Sequence, residues 1–102
     1  MKENLEDKWE AWKFYQEKVS RYFSDAEWEK KFWLLCSLLI QAALFSEEGI
    51  ARRELQDYAE IGDGALRNRL KNIGEKELLI ERRKGKQKYY EMNLKKIEED
   101  LA

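Results

Sequence analysis

The hydrophobic pattern of the chain begins with a long amphipathic stretch. Apolar residues recur at spacings of three and four with lysine and glutamate between them, which is the period of one helical face. The pattern predicts a first helix from about Glu3 to Phe23. Its apolar face comprises Leu5, Trp9, Trp12, Tyr15, Val19, Tyr22 and Phe23.

A second, more apolar helix is expected next. Ser24 and Glu27 have the spacing of a capping box, in which the side chain of each residue accepts a hydrogen bond from the backbone amide of the other. The second helix is therefore expected to start near Asp25 and to run to about Phe45. From Phe32 onward apolar residues occupy nearly every side, so this helix is expected at the centre of the core.

Two shorter helices are predicted after a break at residues 46–49. The first is expected at Arg52–Ala59, following a short strand at Ile50–Ala51, and the second at Asp63–Lys76. The residues expected to face the core are Leu55, Tyr58 and Ala59 in the first of them, and Leu66, Leu70 and Ile73 in the second.

The last third of the chain predicts a hairpin and one more helix. Leu78–Arg83 and Lys86–Met92 are strand-like runs, and Lys84-Gly85 between them suits a tight turn. Asn93 can cap a final helix at Leu94–Leu101. The expected fold is mainly α with a small β-hairpin, in one domain of 102 residues. Its parts are an N-terminal helix (1–23), a core (25–93) and a C-terminal helix (94–102).

Charge is distributed unevenly along the chain. The 20 basic and 21 acidic residues leave a net charge of −1. Residues 65–96, however, carry 11 basic and four acidic residues, whereas residues 1–64 carry nine and 14. One third of the chain therefore concentrates the positive charge that binding of a polyanion requires.

Composition argues against several classes of protein. The chain lacks histidine and has a single cysteine, Cys36, so neither a metal site nor an internal disulfide is expected. The apolar run around Cys36 favours an inert core thiol over a redox sensor. We find no nucleophile with a neighbouring base and no phosphate-binding glycine loop, so neither an enzyme nor a cofactor is expected. The start of the chain lacks a signal-peptide pattern and the run Phe32–Phe45 is short for a membrane span, which predicts a cytoplasmic protein.

The order helix, strand, helix, turn, helix and hairpin in residues 49–93 resembles the winged helix-turn-helix of the broad MarR and PadR type of transcriptional regulator. The positions that carry the resemblance are Glu54-Leu55, Ile61, Leu66 with Leu70, Leu78-Leu79-Ile80 and Tyr89-Tyr90-Glu91-Met92. Two positions depart from it, because such regulators usually have glycine where this chain has Glu60 and Glu77. Gly62 and Gly74 are expected to supply these turns from shifted positions.

The resemblance implies that the helix at Asp63–Lys76 lies in the major groove of DNA. With Leu66, Leu70 and Ile73 inward, the residues on and beside the opposite face are available to a partner. Base contacts are expected from Arg67 and Asn68, phosphate contacts from Lys71 and Asn72, and close backbone approach at Gly64 and Ala65. A solvated helix face is the alternative for each of these residues.

The predicted hairpin, or wing, has five cations within seven residues: Arg82, Arg83, Lys84, Lys86 and Lys88. These charges repel one another unless an anion is near, which favours contact with DNA. The alternative is a soluble hairpin whose charges protect a sheet edge. Arg52 and Arg53 are further candidates for phosphate contacts, with surface decoration as their alternative.

The first helix has more aromatic residues than the cover of a small core requires. A second copy of the chain is the simplest place to bury the excess. We therefore expect a homodimer, with its two DNA-binding helices about 34 Å apart, one turn of duplex. The alternative is that this helix folds back on its own domain. The residues assigned to the dimer interface are Leu5, Trp9, Trp12, Tyr15, Val19 and Tyr22.

The sequence thus predicts sequence-specific binding of double-stranded DNA by a homodimer. A transcriptional repressor is the simplest role, and a plasmid or virus accessory protein would use the same contacts. The alternative is a winged-helix module for protein–protein interaction within a larger complex. The basic third of the chain favours DNA, because a protein partner does not require it.

Overall fold

The structure, a computed structural model, describes the backbone of residues 5–101 and the side chains of residues 7–101. Within that range the chain forms five helices and three strands. The predicted start of the first helix at Glu3 lies outside the described residues. The elements are α1 (Leu5–Ser20), α2 (Lys30–Phe45), β1 (Ile50–Ala51), α3 (Arg52–Ala59), α4 (Asp63–Glu75), β2 (Leu79–Lys84), β3 (Gln87–Met92) and α5 (Leu94–Leu101).

The three strands form one antiparallel sheet in the order β1-β3-β2. β2 and β3 pair from Leu79 opposite Met92 to Lys84 opposite Gln87. Gly85 takes a positive φ of 65° in the turn that joins them, a conformation open to glycine without strain. The predicted hairpin is confirmed, and the predicted short strand β1 covers the other edge of β3.

The core is built around α2, as its apolar composition predicts. Leu35, Cys36, Leu39 and Ile40 are fully buried in it, and the same cluster takes side chains from the four other helices and from β3. Burial also raises the pKa of the Cys36 thiol, because the thiolate would lose its hydration there. A thiol of this kind is a poor nucleophile.

Leu66, Leu70 and Ile73 of α4 are buried as predicted, but Tyr58 of α3 is not. Leu55 and Ala59, one turn apart, form the buried stripe of α3, and Tyr58 lies beside it with 58% of its surface exposed. The prediction that Tyr58 faces the core is therefore wrong.

The connection between α1 and α2 also differs from the prediction. The expected capping box is present: the Glu27 amide donates to the Ser24 hydroxyl at 3.2 Å, and the Ser24 amide donates to the Glu27 carboxylate at 2.9 Å. It closes only a single turn, however, and α2 begins at Lys30 instead of near Asp25.

The aromatic side chains around this turn explain why α2 starts late. Trp28 stacks on Phe23 with 5.9 Å between the ring centroids, so the segment between α1 and α2 packs on itself before α2 begins. Glu29 then takes an extended conformation and accepts hydrogen bonds from the amides of Lys31 and Phe32. Glu29 is thus the N-cap of α2.

Glu60 and Glu77 are the two described non-glycine residues with left-handed backbone, at φ of 53° and 63°. The expectation that Gly62 and Gly74 take over these turns is wrong. Gly62 is the extended N-cap of α4 and Gly74 lies within that helix. The chain therefore makes both turns with glutamate, at a cost of roughly 1 kcal/mol for each side chain.

The C-terminal helix α5 packs against α1. Asn93 caps it as predicted, since its side-chain oxygen accepts a hydrogen bond from the Lys96 amide at 3.3 Å. The Tyr15 hydroxyl of α1 donates to Glu98 of α5 at 2.6 Å. In the part of the chain that the structure describes, no helix has the length and apolar character that a membrane span needs.

Candidate nucleic-acid interface

An open groove of about 990 Å³ runs between α4 and the β2-β3 hairpin, with the start of α3 at one end. Leu70, Leu79 and the buried Tyr90 contribute apolar surface to it. Six cations line the groove against two carboxylates, those of Asp63 and Glu81. The cations are Arg52 and Arg53 from α3, Arg67 and Lys71 from α4, and Lys86 and Lys88 from the hairpin. α4 and the hairpin thus share one positively charged concave surface.

Arg52, Asp63 and Arg67 form a chain of charges along one side of the groove. Arg52 Nη2 lies 3.0 Å from Asp63 Oδ1, and Arg67 Nη2 lies 2.9 Å from Asp63 Oδ2. The hydrogen bond from Arg52 is the main reason why the pKa of Asp63 is lowered. Asp63 therefore links α3 to α4 as a carboxylate at neutral pH.

The hydroxyl of Tyr90 lies beside these three charged side chains. Burial raises its pKa, and the neighbouring Arg52 opposes the rise by favouring the phenolate, whereas Glu81 adds to it. The register explains why these groups meet: Glu81 of β2 is opposite Tyr90 of β3, so both side chains project from the same face of the hairpin.

The five cations predicted for the wing divide between the two faces of the hairpin. Lys86 and Lys88 line the groove, and Arg83, opposite Lys88 in the register, belongs to the Lys88 face. Arg82 and Lys84 alternate with Arg83 and therefore project from the other face.

Both cations on that second face form ion pairs with carboxylates. Arg82 forms an ion pair with Glu91, and Lys84 with Glu48 in the segment before β1. The pKa of Lys84 is raised, chiefly by its hydrogen bond to Glu48. The five cations predicted for the wing therefore do not share one surface.

The outer face of α4 is exposed at Gly64 and Asn68, as expected, and Ala65 is half-buried. Asn72 does not share this surface. Its side-chain amide donates to Glu27 Oε2 at 2.9 Å, in the turn between α1 and α2. The structure thus gives Asn72 a role in packing and not the predicted position for a phosphate contact.

Sequence reasoning missed two contacts that link α4, and the turn before it, to the start of α2. Glu29, the N-cap of α2, also accepts hydrogen bonds from Arg69 at 2.8 and 3.3 Å, and Arg69 is the main cause of its lowered pKa. Lys31 donates to the Glu60 carbonyl in the turn before α4. These partners lie far apart in sequence, so no local pattern reveals them.

Sequence reasoning also missed Asp63, although a pattern for it exists. Asp63 and Arg67 are four residues apart on a predicted helix, the spacing at which side chains of opposite charge meet. The third partner, Arg52, comes from a neighbouring helix, and its contact follows only from the tertiary fold.

Most of the residues predicted for a dimer interface are used within the chain. Val19 is fully buried in the core, and Trp12 Nε1 donates to the Ser37 carbonyl at 3.1 Å. The hydroxyls of Tyr15 and Tyr22 donate to Glu98 and Asp100 of α5. These four residues therefore fold back on their own domain.

Trp9 differs from those four residues because it remains 42% exposed. Its ring centroid lies 6.0 Å from that of Phe45, another exposed aromatic residue, at the end of α2. The side chain of Leu5 lies outside the described side chains. The surface left for a second copy is thus smaller than predicted and is shared between α1 and α2.

Comparison with known proteins finds no family model that matches the chain, no matching curated protein and no matching solved structure. The candidate site accordingly rests on its geometry and charge.

Proposed function

We propose that the protein is a winged-helix domain that binds double-stranded DNA through the groove between α4 and the hairpin. The observation that carries the proposal is that six cations from three elements face two carboxylates in one open groove. Neutralisation of phosphates by lysine and arginine, with release of counterions, supplies much of the affinity for a duplex. A protein-interaction module would not require this concentration of positive charge.

The positions of the side chains suggest a division of labour. The major groove of DNA is wide enough to admit an α-helix such as α4. On the outer face of α4, Asn68 is exposed and an added Cβ at Gly64 would meet open space, which suits close approach to DNA. Base edges are assigned to Arg67 and Asn68. Phosphates are assigned to Arg53, Lys71, Lys86 and Lys88, whereas Arg52 pairs with Asp63.

We also propose that the protein acts as a homodimer, with transcriptional repression as the role. The exposed Trp9 and Phe45 support self-association, because an aromatic pair at a surface gains by burial against a second copy. Analytical ultracentrifugation of the wild type and of Trp9→Lys tests this. A dimer that Trp9→Lys dissociates is the expected result, and a monomer at tens of micromolar would contradict the dimer.

A salt titration of binding to a random-sequence duplex, followed by fluorescence anisotropy, tests the DNA proposal. Each phosphate contact contributes about −0.9 to the slope of log K against log salt, so the four assigned contacts give a slope of roughly −3.6. Lys88→Gln is expected to reduce the magnitude of the slope by about one. Arg21→Gln is the matched control, because Arg21 pairs with Glu17 within α1 and the turn that follows it, outside the groove. Absence of salt-dependent binding would favour the protein-interaction module.

A further inference from the structure

Asp63 of α4 uses one carboxylate oxygen to bind α3 and the other to bind a side chain of its own helix. Asp63 Oδ1 accepts a hydrogen bond from Arg52 at 3.0 Å, and Asp63 Oδ2 accepts one from Arg67 at 2.9 Å. The two arginines differ in exposure: the side chain of Arg52 is 29% exposed and that of Arg67 is 72% exposed. Arg52 thus anchors the carboxylate from within the fold, and Arg67 extends from it towards solvent.

We propose that Asp63 is a positioning residue that directs Arg67 to a base edge in the major groove. This inference rests on the proposed function. A guanidinium group has five N–H donors in a fixed plane, and Asp63 engages one of its nitrogens. The remaining donors form an outward edge that can pair with N7 and O6 of guanine.

The carboxylate favours a base over a phosphate for two reasons. First, it holds a long, flexible side chain in one orientation before binding, which reduces the entropy lost when Arg67 engages its target. Second, its negative charge repels a backbone phosphate near the same guanidinium group. Lys71, Lys86 and Lys88 lack this neighbour and remain suited to phosphates.

A mere counter-charge would behave differently from a positioning residue. If Asp63 only reduced the positive charge of the groove, its removal would strengthen binding to every duplex equally. If it positions Arg67, its removal also weakens discrimination at one base pair, the pair that Arg67 reads. The ratio of affinities for two duplexes that differ at that pair therefore separates the two roles.

Selection from a random duplex library provides the test. Wild type, Asp63→Asn, Arg67→Gln and Glu75→Gln are each used to select sites, and affinities are then measured for the wild-type site and its single-base variants. Glu75→Gln is the matched control, because it removes one negative charge from the other end of α4.

We expect Asp63→Asn and Arg67→Gln to lose preference at the same base pair, by about tenfold within a range of roughly five- to 150-fold. Asp63→Asn should at the same time bind random duplex at least as tightly as wild type. Glu75→Gln should keep the wild-type preference. Retention by Asp63→Asn of a preference that Arg67→Gln loses would overturn the inference.

The same measurements distinguish failure of this inference from failure of the proposed function. If the wild type binds duplex without preference for any base, the positioning role is overturned and phosphate-based binding stands. If the wild type binds no duplex at all, the proposed function is overturned and the inference with it.

Discussion

The two faces of the β2-β3 hairpin carry the same kind of side chain in opposite surroundings. On one face, Arg82 and Lys84 are held by Glu91 and Glu48. On the other, Lys86 and Lys88 border a groove in which cations outnumber carboxylates. The two-residue period of the strands places Arg82 and Lys84 on the face opposite Lys88, while Lys86 lies in the turn between the strands. A cluster of positive charge in a sequence therefore does not locate a binding surface until the partners of each charge are known.

The largest effect on binding is expected from the groove face. Replacement of both Lys86 and Lys88 by glutamine should reduce the magnitude of the salt slope by about two, and duplex affinity roughly 50-fold at 0.1 M salt. Lys84→Gln is the matched control on the other face. It should leave the slope nearly unchanged, because Lys84 is already paired with Glu48. If Lys84→Gln reduced duplex affinity, measured by fluorescence anisotropy, as much as replacement of Lys86 and Lys88 does, the two faces would not differ in DNA binding.

The next effect is on stability and belongs to the opposite face. Arg82→Gln leaves the carboxylate of Glu91, whose side chain is 11% exposed, without its cation. We expect the free energy of unfolding in urea to fall by about 1–2 kcal/mol, with the salt slope of DNA binding unchanged. Arg83→Gln on the neighbouring position should change the free energy by less than about 0.5 kcal/mol. A larger loss from Arg83→Gln would show that the faces are assigned wrongly.

Glu29 extends the comparison between paired cations and groove-lining cations. It pairs with a further cation, Arg69, which does not line the groove. Glu29→Gln should lower the free energy of unfolding by about 1 kcal/mol at pH 7, through the weakened N-cap of α2 and the lost pair. The pKa of Glu29 is lowered in the folded state, so its stabilisation is present above its ordinary value of 4.5 and is lost as pH falls below it. The difference between the variant and wild type should therefore shrink in acid. Urea titrations at pH 7 and pH 3.5 measure this, and a constant difference would contradict it.

The helices near the candidate site could be predicted closely from the sequence. α3 has its predicted bounds, and α4 begins at its predicted start, Asp63, and ends one position early. Both have an apolar stripe of helical period and clear breaks at each end, which are local features. Glu29 shows the limit of such features, because the start of α2 depends on how Trp28 packs on Phe23 and not on the capping box alone.

The positions of the charges could be predicted only in part. Arg67 and Lys71 lie where the helical period of α4 predicts. The partners of Lys84 and Asn72 come from segments distant in sequence, and a one-dimensional pattern holds no information on which face a distant carboxylate will reach. The same cause applies to the dimer residues Val19, which is buried in the core, and Tyr22, which donates to Asp100 of α5.

The smallest effect is expected at a turn that touches neither face of the hairpin. Glu60→Gly should raise the free energy of unfolding by about 0.5 kcal/mol, because relief of the left-handed conformation slightly exceeds the added entropy of the unfolded chain. Gly49→Ala is the contrasting change. Its Cβ would lie 2.7 Å from the Tyr90 carbonyl oxygen at a φ of 93°, so it should destabilise. Thermal unfolding of both variants checks the sign, and destabilisation by Glu60→Gly would contradict the account of this turn.

The surface that contacts DNA can be observed directly by amide chemical shifts of ¹⁵N-labelled protein during addition of a short duplex. The account predicts that the largest changes follow the groove, at Arg52, residues 64–71 and residues 86–88, while Trp9 and Phe45 on the aromatic surface change little. Largest changes at Trp9 and Phe45, or none anywhere at low salt, would contradict the claim that the groove between α4 and the hairpin is the site of duplex binding.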